Sequence, residues 1–103
     1  MATQVQILTI ILADNDAHGF SSISNTTHQA ILRCEDQSIR WRADGTSPTN
    51  SGSNRGTLMA AGDELKLMGG DYQDFLRNFM IINAADGSNG TIRGAGFSGL
   101  DSA

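Results

Sequence analysis

Apolar residues in this chain come in short alternating runs, and every run is cut by turn-forming residues before it reaches the length of an ordinary helix. Ile39, Trp41 and Ala43 alternate with Arg40, Arg42 and Asp44; Leu65 and Leu67 alternate with Glu64, Lys66 and Met68; Ala30, Leu32 and Cys34 alternate with Ile31, Arg33 and Glu35. A period of two marks a strand with one face buried. Twelve glycines, with frequent Ser, Thr and Asn, separate these runs, which is the punctuation of an all-β chain with many turns. The pattern predicts an antiparallel β-sandwich or jelly-roll-like domain of about seven or eight short strands. One stretch breaks the period. Tyr72, Phe75, Leu76 and Phe79 stand at the i, i+3, i+4, i+7 spacing of a helical face, with Asp71 as N-cap and Asp74 in the first turn. A short helix or 3₁₀ turn near 71–78 should close one end of the sheets, its aromatic stripe facing the core.

A chain of 103 residues makes one domain, 1–103, with a mobile or partner-bound tail at 98–103. At this size folding buries roughly 65% of the unfolded surface, which is a thin margin. No internal disulfide can help, because Cys34 is the single cysteine, and no cysteine-histidine cluster has zinc spacing. Association with other subunits is the expected source of extra stability. The net charge of −4 argues against a general nucleic-acid coat and against an anionic membrane partner. The longest apolar run, Ile7 to Ala13, is interrupted by Thr9 and too short to span a bilayer. Nor does it read as a signal peptide: no basic region precedes it, and Asp14, Asn15 and Asp16 follow where small residues should lead to cleavage.

Val5 and Ile7 alternate with Gln4 and Gln6, but Ile7 to Leu12 is apolar on both faces of a strand. Its second face needs a cover, either the edge of the other sheet or a neighbouring subunit. Phe79 to Ala84 has the same character. Ile7, Ile10, Ile11, Leu12, Met80 and Ile82 are therefore the apolar interface candidates. Arg40 and Arg42 share one face of the Trp41 strand and are the polar ones, reaching either a partner's carboxylates or phosphates or, as a solvated face, Glu35 or Glu64. Trp41 itself reads as a core anchor.

The connections follow from turn chemistry. Asp44-Gly45 and Gly62-Asp63 form turns, and Pro48, the only proline, stiffens the polar loop from Thr46 to Arg55. Glu35 to Ser38 reads as a hairpin turn, and Asp86 to Gly90 as a hairpin loop with positive φ at Asn89-Gly90. Phe20 to Ile23 and Thr57 to Ala61 read as short strands. Gly94, Ala95 and Gly96 leave room for close backbone approach in the last strand.

Several patterns resemble chemistry and lack its context. Asp14 to Phe20 opens like a calcium loop, but the twelfth position is Asn25 rather than glutamate and no flanking helices are expected. It reads as a tight turn with Gly19 at positive φ. Gly94, Gly96 and Gly99 match the dinucleotide fingerprint, yet only four residues follow and no helix can open there. Asn25-Thr26-Thr27 and Asn89-Gly90-Thr91 fit the glycosylation sequon without an export signal. His18 and His28 read as surface residues without a third partner, and Cys34 as a small buried hydrophobe. Asp14, Asp16, Asp44, Asp63, Asp71 and Asp74 all sit at turns or caps. No catalytic residue, cofactor or metal ligand is assigned, and the chain is not expected to be an enzyme.

The central stretch resembles a known group. Arg42, Asp44-Gly45-Thr46, Pro48-Thr49, Gly56, Ala61-Gly62-Asp63 and Phe75 to Asn83, in that order, are similar to small bacteriophage virion β-sandwich proteins that serve as capsid decoration (cement) or accessory head subunits. Those proteins usually have a shorter central loop and a Tyr-rich final strand, where this chain has extra Asn-Ser-Gly-Ser-Asn and a Gly-rich end. The resemblance implies a homo-oligomer, a trimer foremost, located in the virion after synthesis in the host cytoplasm. Its partners would be the major capsid protein or other virion subunits, and it would strengthen the head by buried area. The other class the residues admit is a receptor- or carbohydrate-binding β-sandwich module of a phage fibre or tail.

Overall fold

The computed structural model describes residues 3–52 and 55–98. Eight strands form two antiparallel four-stranded sheets with one short helix. The strands are β1 (Gln4–Ile11), β2 (His18–Gly19), β3 (Gln29–Glu35), β4 (Ile39–Arg42), β5 (Thr57–Met59), β6 (Glu64–Leu67), β7 (Met80–Asn83) and β8 (Thr91–Phe97); helix α1 is Gln73–Asn78. The first sheet runs β1-β8-β3-β6 and the second β2-β7-β4-β5. Only β4 and β5 are both consecutive and paired; every other connection carries the chain from one sheet to the other. That is the double Greek key of an eight-stranded jelly roll.

The alternating residues meet between the sheets. Leu8, Ile10, Leu32, Cys34 and Ile92 of the first sheet pack against Ile39, Met59, Phe79 and Ile81 of the second, and all are buried. Helix α1 plugs one end. Leu76 is buried, and the Phe75 ring lies tilted against Trp41 and Phe79, with centroids 5.6 Å and 6.0 Å away. Asp71 stands one residue before the Tyr72 N-cap, its Oδ1 accepting from the Gln73 N–H at 3.1 Å. In β8, a Cβ on Gly94 would lie 2.1 Å from the Ile31 carbonyl oxygen, so this central strand fits between its neighbours only with glycine there.

Sandwich topology overrides two expected hairpins. Both sides of β3 are taken by β8 and β6, so Glu35 to Ser38 crosses to the second sheet, with Asp36 at φ 71° in the turn. Asp86 to Gly90 likewise leads from β7 to β8 in the other sheet; its left-handed residue is Gly87 rather than Gly90. The strand expected at Phe20 to Ile23 forms earlier, at β2, where Gly19 is paired with Met80 instead of turning. The turns at Gly45 and Gly62 have the positive φ their sequence implies, and Asp63 Oδ2 accepts from the Ala60 N–H. The expected tail lies, from residue 99 onward, outside the described residues; Ser98 is bonded to Thr3.

One buried polar residue ties the connections together. Asn83 Nδ2 donates to the Asp14 carbonyl at 3.0 Å and to Asn89 Oδ1 at 2.8 Å, while its Oδ1 accepts from the Gly90 N–H at 3.1 Å. A buried amide with its hydrogen bonds made specifies one arrangement of both crossing loops.

Candidate functional site

Of the apolar interface candidates, the structure separates those inside from those outside. Ile10 and Leu12 are 4% and 3% exposed within the chain's own core, so they are not available to a partner. Ile7 and Ile11, one pleat away, are 73% and 60% exposed, and Val5 joins them at 41%. The run that reads as apolar on both faces is an edge strand with one face in the core and the other in solvent. Residues directly opposite across a sheet share a face, so Ile7 stands beside Ala95 and Ile31, and Ile11 beside Thr91 and Glu35. Between these rows Arg93 lies directly opposite Arg33, with Glu35 Oε1 accepting from Arg93 Nε at 3.1 Å.

On the second sheet's outer face the β7 residues are covered instead, while Leu58 of edge strand β5 is 54% exposed. Ile82 is 7% exposed and Met80 half-buried. The Thr46–Gly52 segment folds back over them: Ser47 Oγ donates to Met80 Sδ at 3.6 Å, Asn50 Nδ2 to Asp86 Oδ1 at 2.6 Å, and Pro48 is fully buried. Arg40, opposite Ile82, is drawn under the same cover. Its Nη1 donates to the Gly56 carbonyl at 3.1 Å, and its Nε is buried without a partner among the described residues. Ile82 is therefore buried within the chain, and Met80 and Arg40, half-buried, are engaged by their own chain.

Arg42 does not reach Glu35 or Glu64, which pair with Arg93 and Lys66. It forks onto Asp44 through Nε at 3.1 Å and through Nη2. The guanidinium bond and the Thr46 N–H hold the Asp44 carboxyl below the usual carboxylate range. This pair lines a shallow, open concavity of about 390 Å³ at the end of the second sheet, together with Trp41, Phe75, Arg55 and Thr57. Gly56 is required there, since a Cβ would sit 2.3 Å from the Trp41 carbonyl oxygen. Trp41 is thus both core anchor and cleft lining, its ring tilted against Phe75 and Phe79 with centroids 5.6 Å away in each case.

The remaining chemistry-bearing residues are structural. Cys34 is 1% exposed, its Sγ donating to the Gln37 carbonyl at 3.2 Å, and burial pushes the thiol up to about 11. Both histidines meet carboxylates that the spacing did not suggest: His18 Nε2 lies 2.8 Å from Asp14 Oδ1, and His28 Nδ1 lies 2.9 Å from Asp71 Oδ1. Those bonds lower both aspartates from their ordinary value. Asp14 Oδ1 also accepts from the Asp16 N–H, the side-chain turn its position implies. Among the described residues no group of three or more His, Cys, Asp or Glu is placed to hold a metal, and no helix is long and apolar enough to cross a membrane.

The concavity was not legible in the sequence. Arg55 and Phe75 are separated from Trp41 by 14 and 34 positions and belong to different elements, so no local spacing marks them as one site. Comparison with protein-family models, with curated proteins and with solved structures gives no match for this chain.

Proposed function

We propose that this protein is a structural subunit of a phage virion, a capsid decoration or cement protein acting through protein–protein contacts. The observation that carries the reading is the outer face of the first sheet. Val5, Ile7 and Ile11 expose branched apolar side chains on an eight-residue edge strand, β1, that holds neither charge nor proline. Edge strands are commonly guarded by such residues or by bulges; β1 has only a register irregularity between Gln4 and Gln6, and its exposed Ile7 and Ile11 beyond it fit a surface that another subunit covers. Arg33 and Arg93 lie opposite each other on the same face, Arg93 paired with Glu35 and Arg33 opposite Glu64, so charges of both signs border the apolar residues. The covering subunit would be a neighbouring copy in a homotrimer or the major capsid protein.

Sedimentation of the wild type and of the Ile7→Asp, Ile11→Asp double variant tests the subunit contact. The reading expects an oligomer that the double variant loses while remaining folded. A wild type that stays monomeric at high concentration and does not bind capsids would end it. Mixing with capsids that lack the protein, followed by heating, tests the role: saturable binding that raises the capsid's melting temperature is the expected result. A second reading, a receptor- or carbohydrate-binding module of a phage fibre or tail, draws on the Trp41 concavity.

A further inference from the structure

We propose that the concavity lined by Trp41 and Phe75 binds a sugar ring bearing a carboxylate, a uronic acid or a related acidic pyranose. The inference rests on the carbohydrate-binding reading and names its ligand class. Two aromatic rings, Trp41 and Phe75, tilted 60° to each other, line the concavity, and a pyranose presents a face of C–H groups that packs on an aromatic ring while its edge carries hydroxyls. An open cleft lets those hydroxyls keep part of their water, which a purely apolar ligand would gain little from. A volume of about 390 Å³ lies at the lower end for small-ligand sites and admits one or two rings.

Charge selects among sugars. Arg42 and Arg55 face one carboxylate, Asp44, so the cleft is locally positive in a protein whose net charge is −4. Arg42 is already oriented by its fork onto Asp44, and Asp44 is fixed in turn by the Thr46 N–H at 3.1 Å. Arg55 has no ion-pair partner among the described residues, and its planar guanidinium matches a carboxylate with two parallel hydrogen bonds. Asp44 and Thr57 remain to meet hydroxyls. A neutral sugar would stack on Trp41 but leave Arg55 unanswered.

Because Trp41 is the only tryptophan, its fluorescence reports on this site alone. The full-length protein is titrated with glucuronic acid, an acidic oligosaccharide built from it, glucose, and inorganic phosphate. Saturable change with the two acidic sugars, weakened by salt and lowered about tenfold or more by Arg55→Gln, is the expected result. Arg55 is exposed, so urea unfolding of that variant should match the wild type. Response to the oligosaccharide alone places the ligand in a polysaccharide chain, and equal response to the monosaccharide places it in the single ring. Glucose binding as tightly as glucuronic acid overturns the acid assignment and spares the carbohydrate reading. Phosphate binding as tightly as the acidic sugars overturns the sugar, and silence with every sugar ends both.

Discussion

On the second sheet the outward residues Met80 and Ile82 lie beneath a loop anchored at Ser47 and Asn50, with Pro48 buried in it; on the first sheet Val5, Ile7 and Ile11 have no such cover among the described residues. Both strands carry β-branched side chains on alternate sides, so the difference is made by a loop and not by the strands. The chain covers Met80 and Ile82 with its own residues and leaves Val5, Ile7 and Ile11 exposed. Function should be sought on the bare face and at the cleft beside the covering loop.

The largest effect should separate the two sides of β1. Ile10→Asp places a charge in the core and should cost about 4 kcal/mol or more, enough to abolish the cooperative urea transition followed by circular dichroism. Ile7→Asp, three residues away and exposed, should shift the same transition by no more than about 0.5 kcal/mol in the monomer. Comparable losses at both positions would mean that β1 has no bare face.

Removing the cover should give a smaller loss. Pro48→Gly frees the loop in the unfolded chain and removes a fully buried side chain from it, and roughly 1–2 kcal/mol of stability should go with it. An unchanged urea midpoint would show that the loop merely rests on the second sheet.

Acid should act on the loops and not on either face. Asp14, Asp44 and Asp71 are each lowered from 3.8 by a hydrogen bond from a basic side chain, so they favour the folded state above that value. That contribution is lost as pH falls below 3.8 through their lowered folded values. Replacing all three with Asn should flatten the fall in stability with acid, and salt should weaken the effect because all three are exposed. A slope the triple variant leaves untouched would assign acid sensitivity to other carboxylates.

The smallest change expected is none at all. Cys34, facing inward from the first sheet, should resist maleimide labelling in the folded protein near neutral pH and label fully in urea. Rapid labelling of the native state would mean that β3 opens locally.

Alternation placed Ala30, Leu32 and Cys34 inside, and the helical spacing of Tyr72, Phe75, Leu76 and Phe79 located α1, because these patterns reflect local geometry. Turn chemistry located Gly45 and Gly62 for the same reason. The run from Ile7 to Leu12 was ambiguous, since a strand that is apolar on both sides looks alike whether its second cover is its own chain or another. The hairpins expected at Glu35–Ser38 and Asp86–Gly90 failed on the same ground: a turn's residues say that the chain reverses, and not which sheet it enters.

By itself, then, the sequence determined an all-β sandwich, its short closing helix and most of its inward residues, because side-chain period and turn preference are properties of neighbouring residues. The order of the strands was decided only in three dimensions, where β8 fits between β1 and β3 because Gly94 permits it. So were the burial of Ile82, the bond from Arg40 to the Gly56 carbonyl, the exposure of Ile7 and Ile11, and the meeting of Trp41 with Arg55 and Phe75. Each depends on contacts between residues distant in the chain, whose free energy no local pattern encodes.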